Sequence, residues 1–166
     1  ELMCDMHYTP QGRATTDRTR VGIVLADEPP RFMTSKLVVR QPVIEIPPHT
    51  EREFTAEQLF SEDTAILSIG PHMHLRGSSV EVDLIWPDGG RERLLSSTWD
   101  PDWQFTYLLA EDLIVPGGSR LHVMGRFDNT SANPNNPDPG AWVREGPQSS
   151  DEMLLVGVGS LQPRED

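Results

Sequence analysis

The stretch Val80-Glu-Val-Asp-Leu-Ile-Trp-Pro-Asp-Gly-Gly-Arg-Glu-Arg-Leu-Leu-Ser-Ser97 decides the fold class. Its first five residues alternate apolar and polar with period two, the pattern of a strand with one buried face. Pro87-Asp-Gly-Gly90 is a turn, and Arg91 to Ser97 returns as the hairpin partner. Ala65-Ile-Leu-Ser-Ile69 is a second clear strand. Working outward, Lys36 to Arg40, Val43 to Ile46 and Arg52 to Phe54 read as short strands separated by Pro42 and Pro47-Pro48. Gln104 to Leu109, Leu113 to Val115, Ser119 to Phe127 and Met153 to Gly159 complete the series, and Arg20 to Ala26 is an apolar run rich in β-branched residues. Thr55 to Phe60 reads as one helical turn capped by Thr55. About ten short strands and almost no helix predict an all-β chain, an antiparallel β-sandwich or jelly roll. One segment breaks the rhythm: Asp128 to Asp151 is a long connection rich in Asn, Asp and Pro.

The composition agrees. A chain of 166 residues is long enough for one core and too short for two ordinary domains, so residues 1–166 are read as a single domain. With 13 Gly and 15 Pro, turns are dense. The net charge of −12 argues against a nucleic-acid binder and against an anionic membrane surface. No apolar run is long enough to span a bilayer as a helix. Cys4 is alone, so no internal disulfide forms.

The sharpest local feature is Gly70-Pro-His-Met-His-Leu-Arg-Gly77, directly after an apolar strand. His72 and His74 are two residues apart, so on extended backbone both rings leave the same face. That suits two imidazoles on one metal ion, and equally two packed or surface histidines. A third ligand would come from elsewhere: His7, His49, His122, a carboxylate or one of six Met. Met153, in Ser149-Ser-Asp-Glu-Met-Leu-Leu-Val156, is core filler by composition alone. As a ligand it would point to copper, because a thioether is soft and suits Cu(I), while imidazole serves both oxidation states. His49 reads as a turn residue and His122 as part of a strand. Gly77 would permit a bend, and Arg76 would brace the strand or pair with a carboxylate. Asn129-Thr-Ser131 matches a glycosylation acceptor. The Asn/Asp/Pro loop lacks EF-hand spacing and reads as a connection that positions Met153. Trp99 and Trp103 read as packing at a strand entrance or as an interaction surface.

Seven blocks in order carry a resemblance: His7-Tyr-Thr-Pro10, Asp17-Arg-Thr-Arg-Val-Gly-Ile23, Ile46-Pro-Pro-His49, Pro71-His-Met-His-Leu-Arg-Gly77, Phe127-Asp-Asn129, Asn133-Pro-x-Asn-Pro-Asp-Pro139 and Asp151-Glu-Met153. Together they resemble the copper type II, ascorbate-dependent monooxygenase family, of the peptidylglycine α-hydroxylating monooxygenase type, and more closely its bacterial branch. The resemblance implies a jelly-roll C-terminal copper domain, with oxygen-binding copper on His72, His74 and Met153. It implies that His7, at an interdomain junction, is a ligand of a second copper whose other ligands are adjacent histidines in an N-terminal domain. This chain has no His-His pair. The family's substrate clamps are replaced: Gly70 stands for an Arg, Gly157 for a Tyr and Leu155 for an Asn. These departures argue against a C-terminal glycine-extended peptide as substrate. Asp5 stands where a Gln usually precedes the junction His, as a second charge near copper or as a solvated residue.

Two functions follow as expectations. In the first, the chain is the oxygen-activating copper domain of an oxidoreductase that hydroxylates a C–H bond, supplied with electrons by ascorbate or another donor. Its partner is then an N-terminal copper domain or a further subunit, in the periplasm or outside the cell. In the second, it is a non-catalytic binding or structural subunit on the periplasmic face of a larger, membrane-bound assembly.

Overall fold

The computed structural model describes residues 3–4, 6, 8 and 11–163. The strands are β1 (Phe32–Arg40), β2 (Glu45–Ile46), β3 (Glu51–Leu59), β4 (Thr64–His72), β5 (Gly77–Ile85), β6 (Arg91–Thr98), β7 (Tyr107–Val115), β8 (Arg120–Asp128), β9 (Val143–Arg144) and β10 (Leu155–Pro163), and among the described residues there is no helix. Two four-stranded antiparallel sheets form, in the orders β1-β10-β4-β7 and β3-β8-β5-β6, with β2 and β9 as a small third pair. The first long strand lies beside the last, and the eight long strands change sheet at every step except the β5–β6 hairpin. This is an all-β sandwich with jelly-roll connectivity.

Alternation explains the core. Val39, Ile66, Ile69, Val156 and Val158 of one sheet face Val80, Val82, Leu84, Leu121, Val123 and Phe127 of the other, and all are buried. Phe54 meets Phe127 edge to face at 5.8 Å.

The long strands confirm the period-two reading, and the differences have physical causes. Thr55 to Phe60 is not a helical turn. Residues 51–59 pair without interruption with β8, from Glu51 opposite Asp128 to Leu59 opposite Arg120. Ala56 turns inward and is buried. Nine residues of pairing override a weak local preference. Gln104 to Leu109 and Leu113 to Val115 fall differently: one strand, β7, starts at Tyr107 and runs through both, with an irregular register against β4 between Ile66 and Ser68. Of Val43 to Ile46, only Glu45–Ile46 is strand. The run from Arg20 to Ala26 joins no strand, and Val21, Ile23, Val24 and Leu25 are 57%, 63%, 99% and 82% exposed. An apolar run rich in β-branched residues becomes a strand only where a neighbour takes its backbone groups, and no described strand does so.

On the outer side of the β5–β6 hairpin, Asp83 is buried beneath two arginines. Arg91 Nε donates to its Oδ2 at 2.9 Å, and Arg93 Nε donates to Oδ1. Burial pushes the Asp83 carboxyl up, but Arg93 and Arg91 outweigh it and hold it below the usual carboxylate value. The stabilisation is therefore complete above the unfolded value and is lost as pH falls through the lowered folded one. In urea denaturation from pH 7 to pH 2, Asp83→Asn is expected to flatten the acid limb of the stability profile. An unchanged limb would contradict this role.

Candidate functional site

β4 ends at His72, and His74 lies two residues beyond it. Met73 between them is fully buried while both histidines are half-buried, so both imidazoles leave the outer side of one sheet at one end. Their ring centroids are 5.0 Å apart and the rings are nearly perpendicular, at 81°.

Each ring has one nitrogen engaged. Gln104 Nε2 donates to the Pro101 carbonyl at 2.9 Å, which turns its Oε1 toward His72 Nδ1, 2.6 Å away. An amide oxygen only accepts, so Nδ1 carries the hydrogen and Nε2 presents a lone pair. The same logic holds at His74, whose Nδ1 lies 3.2 Å from the carbonyl of Asp151. Burial lowers the pKa of His72 and the neighbouring His74 adds to the effect, against the Gln104 bond, so the ring is neutral at pH 7.

Glu152 holds the backbone beneath these rings. Its side chain is fully buried. Oε2 accepts from the backbone N–H of His74 (2.9 Å) and of Met153 (3.2 Å), and Oε1 accepts from Arg76 N–H (2.6 Å). One carboxylate thus ties the histidine turn to the segment entering β10. Burial pushes its pKa up to about 7, opposed by the three N–H donors and the Arg76 charge. Met153 is half-buried between the fully buried Glu152 and Leu154, and Leu155 stands opposite His72 in the sheet register. Alternation therefore puts Met153 on the same side as the two imidazoles.

The long connection is ordered by polar contacts. Arg76 is 1% exposed. It donates through Nε to Asn129 Oδ1 (2.8 Å), through Nη1 to the Ser150 carbonyl (2.8 Å) and through Nη2 to the Asp138 carbonyl (3.4 Å). Asn129 is fully buried, and its Nδ2 donates to the carbonyls of Pro47 and Ala141. The glycosylation pattern at Asn129 is therefore sealed inside the folded chain. Asn133 Nδ2 donates to the carbonyls of Leu75 and Asp128. Trp99 packs against the core and donates from Nε1 to the His74 carbonyl at 2.9 Å. Gly77 is required for space, because a Cβ there would stand 2.5 Å from Trp99 Cδ1. Trp103 is exposed and rests on Phe105, ring centroids 4.5 Å apart.

Of the residues singled out from sequence, His72, His74 and the backbone of Met153 come together. His7 and Asp5 lie outside the described residues. His49 sits in a turn with φ of 55°, its backbone N–H donating to the Pro139 carbonyl at 3.0 Å. His122 faces outward on β8, opposite Glu57 and Asp83, with Nδ1 3.4 Å from Arg91 Nη2. Among the described residues, no group of three or more His, Cys, Asp or Glu side chains is set to hold a metal. The cluster is instead two imidazoles with a thioether-bearing residue. Gln104 and Glu152 were not singled out from sequence. A glutamate at the entrance of an apolar strand was the available signal for Glu152, and Gln104 carries none. No family model matches the chain, and no curated protein matches it.

Because both Glu152 oxygens accept from N–H groups, a glutamine there would turn its own amide hydrogens against a backbone donor. Glu152→Gln is expected to lower the unfolding free energy by about 1–3 kcal/mol, read from urea denaturation. Wild-type stability in that variant would contradict the assignment.

Proposed function

We propose that this chain is the oxygen-activating, mononuclear copper domain of a monooxygenase-type oxidoreductase that hydroxylates a substrate C–H bond, with His72, His74 and Met153 as the copper ligands. One observation carries the reading: two imidazoles with ring centroids 5.0 Å apart, each with Nδ1 held by a carbonyl oxygen, next to the Met153 segment. Neither Nε2 has a hydrogen-bond partner among the described residues, so both lone pairs are available to a metal. This donor set fits copper, since imidazole serves both oxidation states and a thioether favours Cu(I). Copper bound there would supply one-electron redox chemistry and a coordination position for dioxygen. Gln104 and the Asp151 carbonyl fix the ring orientations and raise their basicity. Glu152 keeps the His74 and Met153 backbones at one spacing, and the half-buried rings leave an open face for a substrate. Ascorbate or another donor as electron source, a second copper shared through His7 with a partner domain or subunit, and a periplasmic or extracellular setting belong to the same proposal.

A second reading has its own support. The exposed apolar run Val21-Gly-Ile-Val-Leu25 is unpaired among the described residues and suits burial against a partner. On this reading the chain is a non-catalytic subunit of a larger, membrane-bound assembly.

Copper titration with EPR on the purified chain separates the two. One type II Cu(II) per chain is expected, lost in His72→Ala, with Met153→Ala weakening Cu(I) more than Cu(II). A chain that takes up neither ion contradicts the copper reading and leaves the subunit reading standing.

A further inference from the structure

We infer that Trp142, Glu45, Arg144 and Asp151 form a binding site for a neutral saccharide unit, in the cleft beside the β2–β9 pair. The binding needs no metal, so the inference goes beyond the copper reading and does not depend on it.

These four residues line one cleft with a volume of about 630 Å³, within the roughly 300–1,000 Å³ of small-ligand sites. Alternation aims them into it. Ile44 and Ile46 are buried, so Glu45 turns outward; Val143 is buried, so Trp142 and Arg144 turn outward. Glu45 and Arg144 stand opposite each other in the β2–β9 register. The backbone brings Asp151 alongside. Glu152 N–H donates to the Arg144 carbonyl at 3.0 Å, and Gly146 N–H donates to the Glu152 carbonyl at 3.2 Å. Gly146 leaves room for the Asp151 carboxylate, with which a Cβ at that position would collide.

The chemistry of the lining selects the ligand. Trp142 is 61% exposed and offers a flat apolar surface in a polar setting. The three charged side chains keep hydrogen-bonding capacity. Arg144 Nε and Glu45 Oε1 are 3.9 Å apart, beyond hydrogen-bond reach, and both side chains are largely exposed. Asp151 Oδ2 accepts from the Gln148 N–H at 3.1 Å, and Oδ1 has no partner among the described residues. One guanidinium with two carboxylates presents both signs, so neither a cation nor an anion meets a single field. A hydroxyl both donates and accepts, and a row of hydroxyls can use the carboxylates and the guanidinium together. The C–H face of a sugar ring carries the partial positive charge that suits the negative face of an indole. The Asp151 carbonyl lies 3.2 Å from His74 Nδ1, so one residue serves both this cleft and the candidate centre.

The test uses the metal-free full chain in NMR titrations with three disaccharides (cellobiose, maltose and N,N′-diacetylchitobiose) and with choline and benzoate as a cation and an anion. At least one disaccharide is expected to shift the Trp142 indole N–H and the amides of Arg144 and Asp151, and neither ion to do so. Trp142→Ala removes an exposed ring, so the rest of the spectrum should stay in place while disaccharide binding weakens about tenfold or more. Trp142→Phe keeps a smaller stacking face and should recover part of the loss. His72→Ala, which removes a candidate copper ligand, is expected to bind the disaccharide as the wild type does, so copper uptake and sugar binding are read separately. No shift at these residues with any disaccharide, equal shifts with choline or benzoate, wild-type affinity in Trp142→Ala, or loss of binding in His72→Ala would overturn the inference.

Discussion

The candidate site depends on one buried carboxylate. Glu152 takes its three hydrogen bonds from the backbones of His74, Arg76 and Met153. Two of these belong to the turn after β4 and one to the segment entering β10, and their relative position follows from a single rigid group. A carboxylate this buried is costly unless each oxygen is satisfied. Here both are satisfied by backbone N–H groups that would otherwise be orphaned at a strand end. The same contacts that make Glu152 tolerable fix the spacing between the imidazoles and Met153.

Arg76 is the counterpart of that carboxylate. Its backbone N–H goes to Glu152, while its guanidinium reaches Asn129, Asp138 and Ser150 across the long connection. The connection buries little apolar surface, and its order comes from this arginine together with the amides of Asn129, Asn133 and Asn136. A loop held by polar contacts at its middle and end delivers Asp151, Glu152 and Met153 to the histidines in a fixed geometry. Arg76, expected to brace its strand or pair with a carboxylate, instead holds the long connection through an amide oxygen and two carbonyls.

The fold was legible wherever a strand had one buried face. Val80 to Ile85 and Ala65 to Ile69 declare their pairing through period-two burial. The failures share a cause. Thr55 to Phe60 has helix-tolerant residues and becomes strand because β8 lies beside it. Arg20 to Ala26 has strand composition and remains unpaired because no described neighbour accepts it. In both, the outcome is set by a partner distant in sequence, which local pattern does not contain. The site divides the same way. The His72–His74 pair followed from a spacing of two, a local property. Gln104 lies 32 residues from His72 and Glu152 lies 78 from His74, and their roles arise only when the sheets close.

The chemistry of the donor set connects these contacts to a function. On the proposed reading, the two imidazoles oriented through Nδ1 and the thioether of Met153 would form a small, open ligand set for copper in both oxidation states. The most direct measurement is copper K-edge X-ray absorption on the Cu(I)-loaded chain. Two imidazole nitrogens and one sulfur in the coordination shell, with the sulfur lost in Met153→Ala, are predicted. A shell without sulfur, or one unchanged by that substitution, would contradict His72, His74 and Met153 as the copper site.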